Sequence, residues 1–277
     1  MKCSYRPVPT LRAPILEISC GAVALVPARR GPWVHDSSHS PLPAGAADLV
    51  IIRRSQGPGR PSALPPGAAS VVLDLPFRGS WRVENSPARR VPSHGTYAFG
   101  TAHAIDFVAV NAAGRSAPRT WRSLIAAERP EAFVGFGQPI LAPLSGTVAA
   151  VLDGQPDHEG RRSQLALVPY MLGQADRIRQ GIGAVAGNHV VIAATANGPF
   201  VLLAHLRQGT VRVHPGQRVE AGDLIGECGN SGNSTEPHVH VQVTDSTDWP
   251  RAHAVPIAFR GRDGTVWIPQ ESEIVRT

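Results

Sequence analysis

Cys228-Gly229-Asn230-Ser231-Gly232-Asn233-Ser234-Thr235-Glu236-Pro237-His238-Val239-His240-Val241-Gln242-Val243 is a small-residue turn that runs through a proline into an alternating segment. In an extended strand successive side chains point to opposite faces, so His238 and His240 project from one face, a few ångströms apart. Val239, Val241 and Val243 fall on the other face, where burial would anchor the strand from behind. Two imidazoles on an anchored strand suit a metal ion. A lone His-x-His is met more often as a bland surface pair, so partners elsewhere in the chain decide its meaning.

Upstream of this stretch the chain steps through short strands and glycine turns: Val211 to Val213, Pro215 to Val219, and Gly222 to Gly226. Asn188 to Ala194 and Phe200 to His205 read as consecutive strands joined across Asn197-Gly198, a hairpin signal. Ile140 to Val151 gives a strand, a Pro/Gly turn and a second strand. His103 to Val110 is a good strand, preceded by the turn-rich Val91-Pro92-Ser93-His94-Gly95-Thr96. Val71 to Leu75 and Trp81 to Val83 open the main domain, while Ile257 to Phe259 and Thr265 to Trp267 lie in the tail. Trp121 to Glu128 predicts one short helix stopped by Pro130, and Met171 to Gly181 a helical turn or two. Residues 153–187 lack a strand pattern and read as an insertion.

The composition agrees with a mainly β protein. The 26 prolines and 28 glycines, against 17% charged residues, favour many strands and turns over a helical bundle, and 42% hydrophobic content is ample for a core. The net charge of +6 is nearly all N-terminal. Through Ser70 there are eight basic residues and three acids, in a Pro/Ala/Arg-rich stretch that reads as a solvated, partly disordered segment or a small β prelude. The expected division is therefore residues 1–70, then a main domain over 71–277. The chain beyond Ser70 is close to neutral, so no nucleic-acid groove is expected. No segment has the roughly 18 apolar residues of a membrane span. The N-terminus lacks a clean signal-peptide core, since Arg12, Glu17 and repeated prolines interrupt it. Cys3, Cys20 and Cys228 have no paired spacing of a zinc ribbon or disulfide scaffold. Oligomeric state is not legible.

A catalytic zinc needs about three protein ligands and an open position for water. Asp106, in the middle of an apolar strand, is the best carboxylate candidate to join His240, because an unpaired charge there would be costly; a strand aspartate bonded to backbone groups is the equal alternative. His103 is three residues from Asp106 and on a regular strand faces the other side. His94 is twelve residues away in a loop that Gly95 lets bend, and is the preferred partner. His205 ends an apolar run, as a strand cap or as an uncharged base. His35, His39, His158, His189, His214 and His253 share no spacing with these and read as surface or satisfied core residues.

Pro92 to Thr96, Ala104-Ile105-Asp106-Phe107, Ala142 to Val148, Gly187 to Ile192, Ala204-His205-Leu206, Val213 to Gly226 and Gly229 to His240 together resemble the lysostaphin-like zinc endopeptidases of bacterial cell walls. The resemblance runs in order over roughly Leu73 to Val243 and leaves out the first seventy residues. It implies a compact antiparallel β-sheet, sandwich-like domain with a few short helices and a groove on one face. It implies one zinc held by His94, Asp106 and His240, with His205 and His238 as unliganded catalytic histidines. One of these two would take a proton from water while the other bonds the developing oxyanion, with no covalent intermediate. The expected substrate is the stem or cross-bridge peptide of peptidoglycan, with the insertion as a specificity wall, and the implied location is the cell envelope or the exterior. The sequence departs from the commonest family spacing, which sets the first histidine four residues before the aspartate, and this keeps His103 in play as a ligand. A biotinyl or lipoyl carrier is excluded, because such domains need a lysine at a hairpin tip and the chain has only Lys2. A non-catalytic wall-binding or regulatory relative of the same fold is the other reading, against which stands the presence of all five site residues.

Overall fold

The computed structural model describes residues 70–163, 177 and 179–277. The N-terminal segment, most of the helical turn expected from Met171 and the middle of the proposed specificity wall lie outside the described residues.

Thirteen strands are found among the described residues: β1 Val71–Asp74, β2 Ser80–Glu84, β3 Ile105–Ala109, β4 Pro139–Leu141, β5 Gly146–Leu152, β6 Asn188–Ala193, β7 Phe200–Leu206, β8 Arg218–Val219, β9 Leu224–Glu227, β10 Val239–Thr244, β11 Ile257–Arg260, β12 Val266–Trp267 and β13 Ile274–Arg276. One sheet has the order β13-β2-β3-β10-β7-β6-β5-β8 and is antiparallel at every pairing. A three-stranded sheet, β1-β11-β12, and a two-stranded ribbon, β4-β9, accompany it. The fold is mainly β, as the strand and turn pattern of the sequence implies.

Alternation sorts the large sheet into two faces. Ile105, Phe107, Val190, Ile192, Val201, Leu203, Val239, Val241 and Val243 enter a single core with Leu73, Ile257 and Phe259 of the smaller sheet and Ile140 and Ile225 of the ribbon. The smaller sheet and ribbon therefore cover one face of the large sheet. Phe77 stacks on Trp81 at 4.7 Å, and Phe107 meets Phe77 and Phe259 edge-on at 4.9 and 5.3 Å, which ties β2, β3 and β11 together. The opposite face carries the even-numbered residues of β10: His240, Gln242 and Thr244.

Two expectations change. The helix from Trp121 to Glu128 reduces to a single 3-10 turn, Arg122–Leu124. Thr120 and Ser123 exchange side-chain to backbone hydrogen bonds in both directions, which satisfies the turn locally, and Glu128 instead pairs with Gly160 as an isolated bridge. Within the segment read as irregular, Ile182–Ala186 forms a short helix, α1. Val211 to Val213 is extended without strand pairing, and β13, which closes the sheet edge against β2, has no clear strand pattern in the sequence.

Candidate metal centre

Four strands align the site. Glu84 on β2, Asp106 on β3, His240 on β10 and Ala204 on β7 stand opposite one another in successive pairings, so they form a row across the sheet. His94 joins the row from a loop. Ser93 donates its backbone N–H to Ala102 O at 2.9 Å and its hydroxyl to Thr101 O at 3.1 Å, closing residues 93–102 on themselves and returning residue 94 to the start of β3. This closure is why a gap of twelve residues still places His94 Nε2 3.0 Å from Asp106 Oδ2. His240 Nδ1 lies 2.8 Å from Asp106 Oδ1. One ligand atom each from His94, Asp106 and His240 falls within 4.8 Å of the others. His103 occupies a turn ahead of β3 rather than the strand itself, is half-buried, and is not in this group.

The donor set fits a metal ion in more than identity. Ser93 Oγ, whose proton goes to Thr101 O, accepts from His94 Nδ1 at 3.0 Å, which leaves the His94 Nε2 lone pair turned toward Asp106. Gln242 Oε1 accepts from His240 Nε2 at 2.9 Å, and Gln242 Nε2 is held in turn by Phe99 O, so Nδ1 is the His240 atom facing the site. Asn85 Nδ2 donates to Asp106 Oδ2 at 2.7 Å. Such outer partners orient the ring and select the tautomer that a metal requires. Two imidazole nitrogens and one carboxylate oxygen match the donor set of catalytic zinc sites.

The electrostatics agree. Burial alone would raise the Asp106 carboxyl, but the neighbouring His94 and His238 and the hydrogen bond from His240 hold it well below the ordinary value. Burial would lower His240, yet its bond to Asp106 raises it. His94 is lowered, chiefly by burial. Glu84 is pushed up to about 8 by burial and then by Glu236, and it keeps an ion-pair geometry with Arg82 Nη2 at 2.7 Å.

His205 and His238 flank the row. His205 Nδ1 donates to Ser231 O at 2.9 Å, and His238 Nδ1 donates to Glu236 O at 2.8 Å, so each presents a bare Nε2. Their rings are 4.6 Å apart, and His238 Nε2 stands 3.7 Å from Asp106 Oδ1. His205 reaches this face only through irregular backbone. It pairs two residues of β7 against one of β6, as a bulge, and has φ 62, in the left-handed region. Burial, then the His238 and His240 rings, hold its imidazole well below the ordinary value.

Glu84, Asn85, Ser93 and Gln242 do not stand out as site residues in the sequence. Gln242 carries a signal, since it lies two residues beyond His240 on the same face, and Glu84 closes a short strand with Trp81 and Val83. Asn85 carries none: its contact depends on a left-handed residue, φ 52, just past the end of β2. His189, read as a surface or satisfied core residue, is buried and donates to Gly187 O.

A sheet face bearing two imidazoles, a carboxylate and two further histidines makes a candidate metal centre. Residues 173–251 match the model of Peptidase family M23. The match includes His205, His238 and His240, whereas His94 and Asp106 lie outside it and are brought in by the fold. Among solved structures, the chain is similar to the catalytic domain of a prophage-encoded M23 protein from Enterococcus faecalis at 20% identity, covering 67% of this chain and 87% of that one, with TM-score 0.33. It is similar to the catalytic domain of lysostaphin from Staphylococcus simulans at 18% identity, covering 59% and 78%, TM-score 0.31. A zinc-containing peptidase from Vibrio cholerae matches at 18% identity over 67% and 40%, TM-score 0.33.

Proposed function

We propose that the chain is a zinc-dependent endopeptidase that hydrolyses peptide bonds of peptidoglycan stem or cross-bridge peptides. The observation that carries this reading is the meeting of His94, Asp106 and His240 within 4.8 Å, beside two histidines whose Nδ1 protons are committed to carbonyls. Zinc held there supplies a Lewis acid for the scissile carbonyl and an acidified water.

The chain's own residues handle the protons. With Nδ1–H given to Ser231 O or Glu236 O, neither His205 nor His238 can donate from Nε2 until it has taken a proton there. The first to act is therefore a base at Nε2, accepting from water. Once doubly protonated it hydrogen-bonds the developing oxyanion and then passes that one proton to the leaving amine. Charge gained by either ring is offset by Asp106, which its histidine partners keep ionised. Among the described residues the one cysteine does not compete as nucleophile: Cys228 is buried, and burial pushes its thiol up, away from thiolate.

The test is zinc content and digestion of purified peptidoglycan by the full chain. About one zinc per chain and release of new amino termini support the reading. Zinc bound with no new termini would favour the non-catalytic relative.

A further inference from the structure

We infer that Asp157 is a positioning residue for His205, holding the strained base through two loops at once; the inference rests on the proposed peptidase reading. Asp157 has no place in the metal group, and it lies in the part of the chain that reads as an insertion. Its carboxylate nonetheless bridges two backbones. Oδ2 accepts from Gln208 N at 3.0 Å, three residues past His205, and Oδ1 accepts from Asn230 N at 2.6 Å, in the loop that holds the His205 ring.

Between these two anchors lie the contacts that fix His205. Gly229 N donates to His205 O at 2.9 Å, and Ser231 O accepts from His205 Nδ1. Ser231 Oγ donates to Leu206 O at 2.8 Å. Asn230, fully buried between Gly229 and Ser231, donates Nδ2 to His158 O at 2.7 Å, and His158 Nε2 bonds Gly232 O at 3.0 Å. A side chain on Gly229 would collide with the Arg207 backbone and the Asp157 carboxylate, so the two loops approach at backbone distance. A φ of 62 at a histidine is strained and persists only where its surroundings over-determine it. The Asp157 carboxylate is the charged member of that surrounding, and its hydrogen bonds are the strong, charge-assisted kind.

Asp153 makes a useful contrast. It binds Gly209 N at 2.8 Å and Val211 N at 3.2 Å, further along the same loop, but makes no hydrogen bond to the 228–236 stretch. Asp157 also lines a cavity of about 770 Å³ with Arg129, Glu131, Arg161 and Arg207. A residue that acted by gripping substrate in that cavity would change KM, whereas one that orients His205 changes kcat.

The experiment compares Asp157→Ala, Asp157→Asn and Asp153→Asn in the zinc-loaded full chain, reading the ring-nitrogen resonances of labelled histidines, zinc content and the concentration dependence of hydrolysis of solubilised peptidoglycan. For both Asp157 variants, zinc content and the His94 and His240 signals stay unchanged. The His205 signal moves from the Nδ1–H tautomer to a mixture, and kcat falls about tenfold or more at constant KM. Asp153→Asn leaves the His205 signal in place. The inference is overturned if the His205 tautomer is unmoved in the Asp157 variants, if KM alone rises, or if Asp153→Asn moves His205 equally, which marks general loop support. Should Asp157→Ala not fold, Asp157→Asn, which retains one acceptor, decides alone. Should the parent hydrolyse nothing while the His205 signal still shifts, the positioning role stands and the peptidase reading fails.

Discussion

The two halves of the site are built by different means. The ligand half, Asp106 and His240, sits on regular strands in direct register, and a closed loop brings His94 to them. The base half departs from regularity: His205 needs a bulge and a left-handed backbone, and His238 precedes its strand and is held by the carbonyl of Glu236. Ligand geometry is thus a property of the sheet, while base geometry is a property of the loop from Cys228 to Pro237 and of what braces it. Gly187 and Gly232, both left-handed, meet there backbone to backbone with no space for a Cβ on either, which fixes the loop against the end of α1 and the start of β6.

The largest expected effect separates these halves. Asp106→Ala or His240→Ala abolishes zinc binding and takes hydrolysis to background, whereas His205→Ala retains zinc and lowers kcat by about 10²–10⁴. Zinc content beside peptidoglycan digestion checks this, and loss of zinc in His205→Ala would dissolve the distinction. Next in size come the outer partners. Gln242→Ala and Asn85→Ala each weaken zinc binding about 10–100-fold without removing it, as competition with a chelator measures; unchanged affinity would show that strand register alone orients the ligands.

The pH dependence of the zinc-free chain sharpens the contrast. His94, His103, His158, His189 and His205 all have folded values below the ordinary 6.5, through burial first. They stay neutral in the folded chain while the unfolded chain takes protons below 6.5, so their stability contribution falls as pH falls. His240 acts oppositely: its raised value gives stability that is present below 6.5 and lost as pH rises through its folded value. Glu84, raised to about 8, acts with His240, since its stability contribution is present below the ordinary 4.5 and lost as pH rises through its folded value. Five groups outweigh two. The urea midpoint should fall between about pH 7.5 and 5.5, with a slope of about 1.4 kcal/mol per pH unit for each proton taken up on unfolding. A midpoint that rises on acidification would show that the His240–Asp106 pair dominates. The smallest effect is expected at His103, half-buried and outside the ligand group: His103→Ala leaves zinc content unchanged and shifts stability by about 0.5 kcal/mol or less.

Much of the ligand half is legible because strand alternation is strictly local. His238-Val239-His240 and the apolar run around Asp106 announce which residues share a face, and the valines opposite do enter the core. The expected helix at Trp121 does not form because the Thr120–Ser123 bonds compete with it and leave no periodic trace in the sequence. His205 shows the limit more sharply. By alternation Ala204, opposite His240, belongs to the site face and His205 to the core face, and only the bulge brings His205 to the site face beside Ala204.

By itself the sequence determined a mainly β chain, a metal-competent His-x-His strand with an aspartate on an apolar strand, and an order of motifs that resembles the lysostaphin-like peptidases. Tertiary structure decided which histidine joins Asp106, since loop closure between Ser93 and Ala102 brings His94 in across twelve residues. It also decided the tautomers, through Ser93, Gln242, Ser231 and Glu236, and the reach of Asp157 across two loops. The physical reason is one of range: face and period are set by neighbours along the chain, whereas a ring's proton and a bulge's direction are set by hydrogen bonds between segments far apart in sequence.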